Sequence, residues 1–224
     1  MSIRKEICRI GRRLEEKGFV AATDGNISCK IAPDQILITP SGIPKGDLTE
    51  NDLIVIDPEG RLMEGDRKPS SETLMHLAVY RERSDVYAVI HAHPPITTAL
   101  TVAGVTLAQC VIPEVVVTMG TIPTAEYATP STEEGACVIK DLIHETDVII
   151  LDRHGSLTVG ATLKSAYLKL EKLEHAAQIT ATAKMLGQVK TLSKEEVAKL
   201  VDLRQKLGIK SRTNPCDSCS ACRK

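Results

Sequence analysis

The chain has no tryptophan, one phenylalanine and four tyrosines among its 224 residues. So few rings exclude the aromatic platforms on which nucleobases stack, and the core has to be packed from Val, Ile, Leu and Ala. Charge of one sign is equally scarce: 28 Lys and Arg stand against 29 Asp and Glu. Such a surface is not drawn by bulk charge to a polyanion or an anionic membrane, so neither nucleic acid nor membrane is an expected partner. Long apolar runs are missing as well. Residues 115–117 and 148–151 are apolar throughout but far shorter than the roughly 20 residues a bilayer requires. The opening Ser2-Ile3-Arg4-Lys5-Glu6 has no apolar signal core, which points to the cytoplasm. Seven cysteines, an odd count, are poor material for a disulfide framework and fit reduced thiols. Cys8, Cys29, Cys110 and Cys137 are expected as small core residues.

What is present is ordinary globular composition, 42% apolar and 25% charged. No long linker divides the chain. Residues 1–210 are expected to form one domain and residues 211–224 a flexible tail bearing Cys216, Cys219 and Cys222. Those three thiols either begin a zinc or iron–sulfur site that lacks its fourth ligand or are simply reactive thiols.

Ile3, Ile7, Ile10 and Leu14 recur at helical spacing and predict a first helix ending at Gly18. Short Ile/Val segments at 26–30, 35–39, 53–57 and 61–64 read as strands of one sheet. A helix is expected over 71–83, with Leu74, Leu77 and Ala78 inward and Ser70 or Ser71 as its cap. Residues 86–92 read as a strand, followed by a short helix to about 103. Residues 111–118 are rich in β-branched side chains and predict a further strand. A helix over 131–144 is expected, capped by Ser131. Asp152-Arg153-His154-Gly155 has the form of a turn between strands 148–151 and 156–159. Helices over 162–186 and from Ser193 complete the chain, the last with Glu196 in capping-box position. Interleaved strands and helices predict a layered α/β domain.

Chemistry concentrates at a few places. His91-Ala92-His93 closes a strand, and period-two geometry sends both imidazoles to one face, a ready chelate. His154 can add a third nitrogen, and imidazoles suit Zn²⁺ while Co²⁺, Mn²⁺ or Fe²⁺ also occupy such sites. His76, His144 and His175 lie on predicted helices without a partner at ligand spacing. Lys68-Pro69-Ser70-Ser71-Glu72 offers hydroxyls and backbone N–H groups at a helix start, which makes either a plain cap or an anion site. Asp24-Gly25-Asn26-Ile27-Ser28 and Thr39-Pro40-Ser41-Gly42 are turns or binding loops with Gly where backbone must approach closely.

Taken in order, Gly25-Asn26-Ile27-Ser28, Ile38-Thr39-Pro40-Ser41-Gly42, Pro69-Ser70-Ser71-Glu72, His91-x-His93 and His154-Gly155 resemble the class II aldolase/adducin family over about residues 3–190. The resemblance implies a layered α/β/α fold with a largely antiparallel central sheet between helical layers. It implies zinc, one per subunit, held by His91, His93 and His154, with Glu72 as a ligand that also acts as acid/base. Gly25, Asn26, Ser41, Gly42, Ser70 and Ser71 would hold the phosphate of a sugar phosphate, in a homotetramer with active sites at subunit interfaces. The implied reaction is reversible cleavage of a ketose 1-phosphate to dihydroxyacetone phosphate and an aldehyde. Members acting on L-fuculose 1-phosphate carry tyrosines in the segment matching 113–118 and near the C-terminus. This chain has Pro113-Glu114-Val115-Val116-Val117 there and no tyrosine after Tyr167. Glu114, or else Tyr127, is expected to replace that second acid/base. The substitution suits an aldehyde lacking some hydroxyls, as from a 5-deoxy- or 5-methylthio-ribulose 1-phosphate. Other members epimerise ribulose 5-phosphate at carbon 4 or dehydrate methylthioribulose 1-phosphate. Glu at position 72 favours the aldolases, because the epimerases would have Asp there. An adducin-like interaction domain would lack the three histidines.

Overall fold

The computed structural model describes residues 1–209 and 212; the cysteine-bearing tail lies outside the described residues. Eight strands form one sheet in the order β4-β3-β2-β1-β5-β8-β7-β6. They are β1 Asn26–Ala32, β2 Gln35–Ile38, β3 Ile54–Ile56, β4 Leu62–Glu64, β5 Ala88–Ala92, β6 Thr124–Ala125, β7 Val148–Leu151 and β8 Gly155–Gly160. All neighbours are antiparallel except β6 and β7, so the sheet is largely antiparallel.

Side chains alternate across the sheet and feed two cores. On one face, Ile27, Ala88, Ile90, Val148 and Ile150 pack with α1 Ile3–Glu16, α3 Pro95–Val102 and α7 Leu163–Leu186. On the other, Val89, Ile149, Leu157 and Val159 pack with α2 Thr73–Glu82, α5 Glu133–Ile139 and α6 Leu142–Glu145. The result is the layered α/β/α arrangement. Helix α1 buries Ile7, Ile10 and Leu14 but leaves Ile3 exposed, and Gly18 at φ +66° ends it. Capping boxes Thr162/Ser165 and Ser193/Glu196 start α7 and α8, Lys194–Lys206. No described helix is long and apolar enough to cross a membrane.

Four local expectations are corrected. Residues 111–118 contain no strand: Pro113 opens a short helix, α4 Pro113–Thr118. The β-branched run misleads because Val116 packs with Cys110 and Val197 of α8 instead of meeting a strand edge. Arg204 of α8 donates to the Val116 and Val117 carbonyls at the helix end. The expected helix over 131–144 is two helices, α5 and α6, separated where Lys140 N–H and His144 N–H reach back only three residues. Its cap is Thr132, which accepts from Glu134 N–H, while Ser131 sits outside at φ +64°. Helix α2 begins one or two residues later than its serines suggest, with Glu72 rather than Ser70 or Ser71 at the capping position. It buries Met75, His76, Leu77, Val79 and Tyr80, whereas Leu74 is 40% exposed. Cys8, Cys29 and Cys110 are buried, but Cys137 is exposed on α5.

Candidate metal centre

Strand β5 runs through the middle of the sheet between β1 and β8, and His91 pairs with Asn26 on one side and Leu157 on the other. Alternation sends His91 and His93 toward the α2 layer. His154 reaches the same spot from the β7–β8 turn, which Arg153 closes at φ +55°. The rings of His91, His93 and His154 lie with centroids 4.7–5.0 Å apart. Together with Glu72, at the start of α2, they present ligand atoms all within 4.8 Å of one another.

The direction of the hydrogen bonds shows what these atoms offer. His91 Nδ1–H donates to the Ser156 carbonyl at 3.0 Å, which leaves Nε2 as a lone pair in the neutral ring. That nitrogen faces His93 Nε2 at 2.9 Å and Glu72 Oε2 at 3.0 Å. Asp24 Oδ2 lies 3.4 Å from His93 Nδ1, and His154 Nε2 lies 3.1 Å from Glu72 Oε1. Lone pairs converge here, an arrangement that could hold a shared cation. Three imidazole nitrogens and one carboxylate are a donor set suited to zinc, and the Ser156 and Asp24 contacts orient the rings as outer-shell partners do. Burial, followed by the charges of His91 and His154, lowers His93 to about 4. Burial alone would raise Glu72, but when the metal-free rings are protonated the charge of His91 and the hydrogen bonds from His154 and His91, together with that from Asn26, hold it well below the usual carboxylate range.

A buried chain of hydrogen bonds stands behind Glu72. Its Oε2 accepts from Asn26 Nδ2 at 2.9 Å. Asn26 Oδ1 lies 2.5 Å from His76 Nε2, and His76 Nδ1 lies 2.6 Å from Ser28 Oγ, which is 2.8 Å from the Tyr80 hydroxyl. Asn26 must donate to the carboxylate, so its oxygen accepts from His76 Nε2–H, His76 Nδ1 accepts from Ser28, and Ser28 accepts from Tyr80. Burial, reinforced by His91, lowers His76 to about 3, which keeps this ring neutral. His76 therefore has a partner on each ring nitrogen, contrary to its reading as an isolated helical residue. The signal lay in two periodicities: Asn26 and Ser28 share a strand face, and Glu72, His76 and Tyr80 recur every fourth residue. His144 does keep a surface role, 2.8 Å from Glu82.

The six residues expected to hold a phosphate, Gly25, Asn26, Ser41, Gly42, Ser70 and Ser71, all line one cavity of about 210 Å³ beside Glu72, His93 and His154. An antiparallel bridge between Pro40 and Pro69 brings two of its loops together, and Ser41 N–H donates to the Lys68 carbonyl. Gly25 sits at φ +72°, where a β-carbon would also meet Val20 Cγ1 at 2.5 Å. A second cavity shares Glu72 and His154 and is walled by Leu74, Met75, Val138 and Leu151, with Glu126 and Asp152 at hand. Glu114, in the first turn of α4, and Tyr127, 60% exposed, line neither cavity.

The chain matches the class II aldolase and adducin N-terminal domain family over residues 5–181 and belongs to it. It is 36% identical over 175 residues to an L-fuculose phosphate aldolase of Methanococcus vannielii, covering 78% of this chain and 93% of the relative. It is 30% identical over 199 residues to a 5-deoxy-D-ribulose 1-phosphate aldolase of Bacillus thuringiensis serovar kurstaki, covering 88% and 92%. A 3-oxo-tetronate 4-phosphate decarboxylase of Escherichia coli K12 is 31% identical over 182 residues, covering 80% and 85%. Among solved structures, an L-fuculose 1-phosphate aldolase superposes with a TM-score of 0.83 at 32% identity, covering 91% of this chain and 96% of that one. With aldolases and a decarboxylase as its relatives, the chain is an enzyme of this family.

Proposed function

We propose that the protein is a zinc-dependent aldolase that reversibly cleaves a ketose 1-phosphate into dihydroxyacetone phosphate and an aldehyde. The observation that carries this reading is the convergence of His91, His93, His154 and Glu72 on one point between a polar and an apolar cavity. Zinc held there supplies positive charge against the negative charge that develops on the carbonyl oxygen as the carbon–carbon bond breaks. No lysine Schiff base is needed. Gly25, Asn26, Ser41, Gly42, Ser70 and Ser71 hold the phosphate with backbone N–H, amide and hydroxyl groups. As the bond breaks, its electron pair moves to the carbonyl side and the hydroxyl proton of the departing aldehyde is lost to a base. Glu72 then delivers a proton to the carbon left behind, and in synthesis it removes that proton.

The apolar cavity would take the aldehyde end. Leu74, Met75, Val138 and Leu151 suit a chain with few hydroxyls, as from a 5-deoxy- or 5-methylthio-ribulose 1-phosphate, more than L-fuculose 1-phosphate. Glu126 and Asp152 beside them disfavour a carboxylate substrate such as a 3-oxo acid. The second proton carrier comes from a neighbouring subunit of a homotetramer, with Glu114 in that role and Tyr127 as its substitute. The test incubates the zinc-loaded protein with a panel of ketose 1-phosphates and detects dihydroxyacetone phosphate. Its release supports the assignment. An epimer, a dehydrated ketone or carbon dioxide from a 3-oxo acid phosphate, with no triose phosphate, overturns it.

Gly155 gives this reading a structural check. A β-carbon there would collide with the Ala92 carbonyl and come within 2.8 Å of His93 Cδ2. Gly155→Ala is expected to swing His93 away and weaken zinc about tenfold to a hundredfold, the range for disturbed outer-shell packing. Chelator competition measures it, and unchanged zinc affinity would contradict the placement of His93.

A further inference from the structure

Lys45 is 1% exposed, a charge in a place where charges are costly. Its ammonium donates to the Thr23 carbonyl at 2.9 Å and to the Ile43 carbonyl at 2.8 Å. Thr23 opens the 23–25 loop and Ile43 follows Ser41 and Gly42, so the two bonds tie together two of the loops around the polar cavity. The chain makes room for this arrangement. Gly11 of α1 lies against the Lys45 carbonyl, where any β-carbon would collide, and Glu15 one turn on lies against Gly46.

Apart from the metal that His93, His154 and Glu72 would hold, the cavity has no cation on its wall. Its lining contains no lysine or arginine, yet it includes the carboxylates Asp24 and Glu72. A phosphate dianion entering there meets the Asp24 carboxylate, the Glu72 charge being taken up by the metal it would hold, and the hydroxyls and backbone N–H groups around it carry no full charge of their own. Through the Thr23 and Ile43 carbonyls, the Lys45 ammonium is joined to two loops whose residues line this cavity.

We propose that Lys45 is the specificity-determining and positioning residue for the substrate's phosphate, a buried cation that staples the 23–25 and 41–43 loops and sets a positive potential behind them. This rests on the reading of that cavity as the phosphate site. It predicts selection for a dianion rather than a general gain in affinity. Burial lowers the Lys45 ammonium to about 8, with Asp24 on the neighbouring loop and Glu15 on α1 opposing. The charge is thus present at neutral pH and lost as pH rises above that value, while a phosphate monoester is already mostly dianionic above about 6.

The test compares binding of phosphoglycolohydroxamate and glycolohydroxamate, which differ only in the phosphate, to the zinc-loaded full chain by calorimetry. Wild type should prefer the phosphorylated compound, and Lys45→Met should reduce that ratio at least tenfold, with zinc content and affinity for glycolohydroxamate retained. A purely structural role would instead weaken both ligands together and leave the ratio unchanged, which overturns the proposal. Wild type carries an independent readout should the variant fail to fold: the ratio should fall at least severalfold between pH 7 and about 9.5, and a flat profile also overturns the proposal. If wild type shows no preference at any pH, the phosphate assignment of the cavity fails along with it. A preference that survives Lys45→Met removes only Lys45.

Discussion

His91→Ala protein is expected to lose both its metal and its turnover. His91 is wholly buried at the centre of the sheet, anchored by Ser156 and aimed at His93 and Glu72. Removing it deletes one ligand and the lone pair around which the others converge. Loss of a single well-placed charge-stabilising donor typically costs about 10²–10³ in rate, and loss of the cation that gathers the developing charge should cost more, on the order of 10³-fold or beyond in kcat/KM. Elemental analysis should show zinc falling from near one per subunit toward none. The contrasting variant is His144→Ala, whose partner Glu82 lies on the surface and which should leave both readouts unchanged. Full zinc content and full turnover in His91→Ala would disprove the metal centre.

Glu72→Gln separates proton transfer from binding. Glutamine keeps the shape and can still present an oxygen to Asn26, but it cannot carry a proton between carbon and solvent. Turnover is expected to fall about 10²–10⁴-fold, the usual contribution of a positioned acid/base. Binding of the phosphorylated hydroxamate should weaken far less. Exchange of the carbon-bound proton of dihydroxyacetone phosphate with solvent, a half-reaction that needs no aldehyde, should fall in parallel with turnover. Retention of that exchange in Glu72→Gln would assign the proton to another group.

Much of the sheet could be read from residue order because its strands are short Ile/Val segments bounded by Gly, Pro and Asp. The His91/His93 pair was legible for the same reason, since a strand puts alternate residues on one face. What pattern alone did not reveal was the meeting of residues 72, 91 and 154, which tertiary structure alone brings together; the family resemblance supplied that expectation. His76 was missed because its partners, Ser28 and Asn26, lie 48 and 50 residues away in sequence. Val115, Val116 and Val117 misled in the opposite direction. Their β-branched character favours a strand, but Pro113 and the docking of Arg204 on their carbonyls hold them in a helix. Glu114 and Tyr127 lie outside both cavities of their own chain, and their assignment depends on a neighbouring subunit.

The site divides into parts with different freedom to change. Two of the imidazoles, Asn26 and the chain behind Glu72 are built into or packed against the central strands, where any alteration propagates through paired backbone. One side of the apolar cavity, opposite Leu74, Met75 and Leu151, is instead drawn from a peripheral stretch, residues 126–138, with a non-glycine residue at positive φ and a short helix. Mutational drift there can reshape the chamber for a different leaving group while the reaction centre stays intact. Relatives at 30–36% identity that are named for different sugar phosphates and for decarboxylation fit such a modular history, and directed evolution of new acceptors should begin in that stretch.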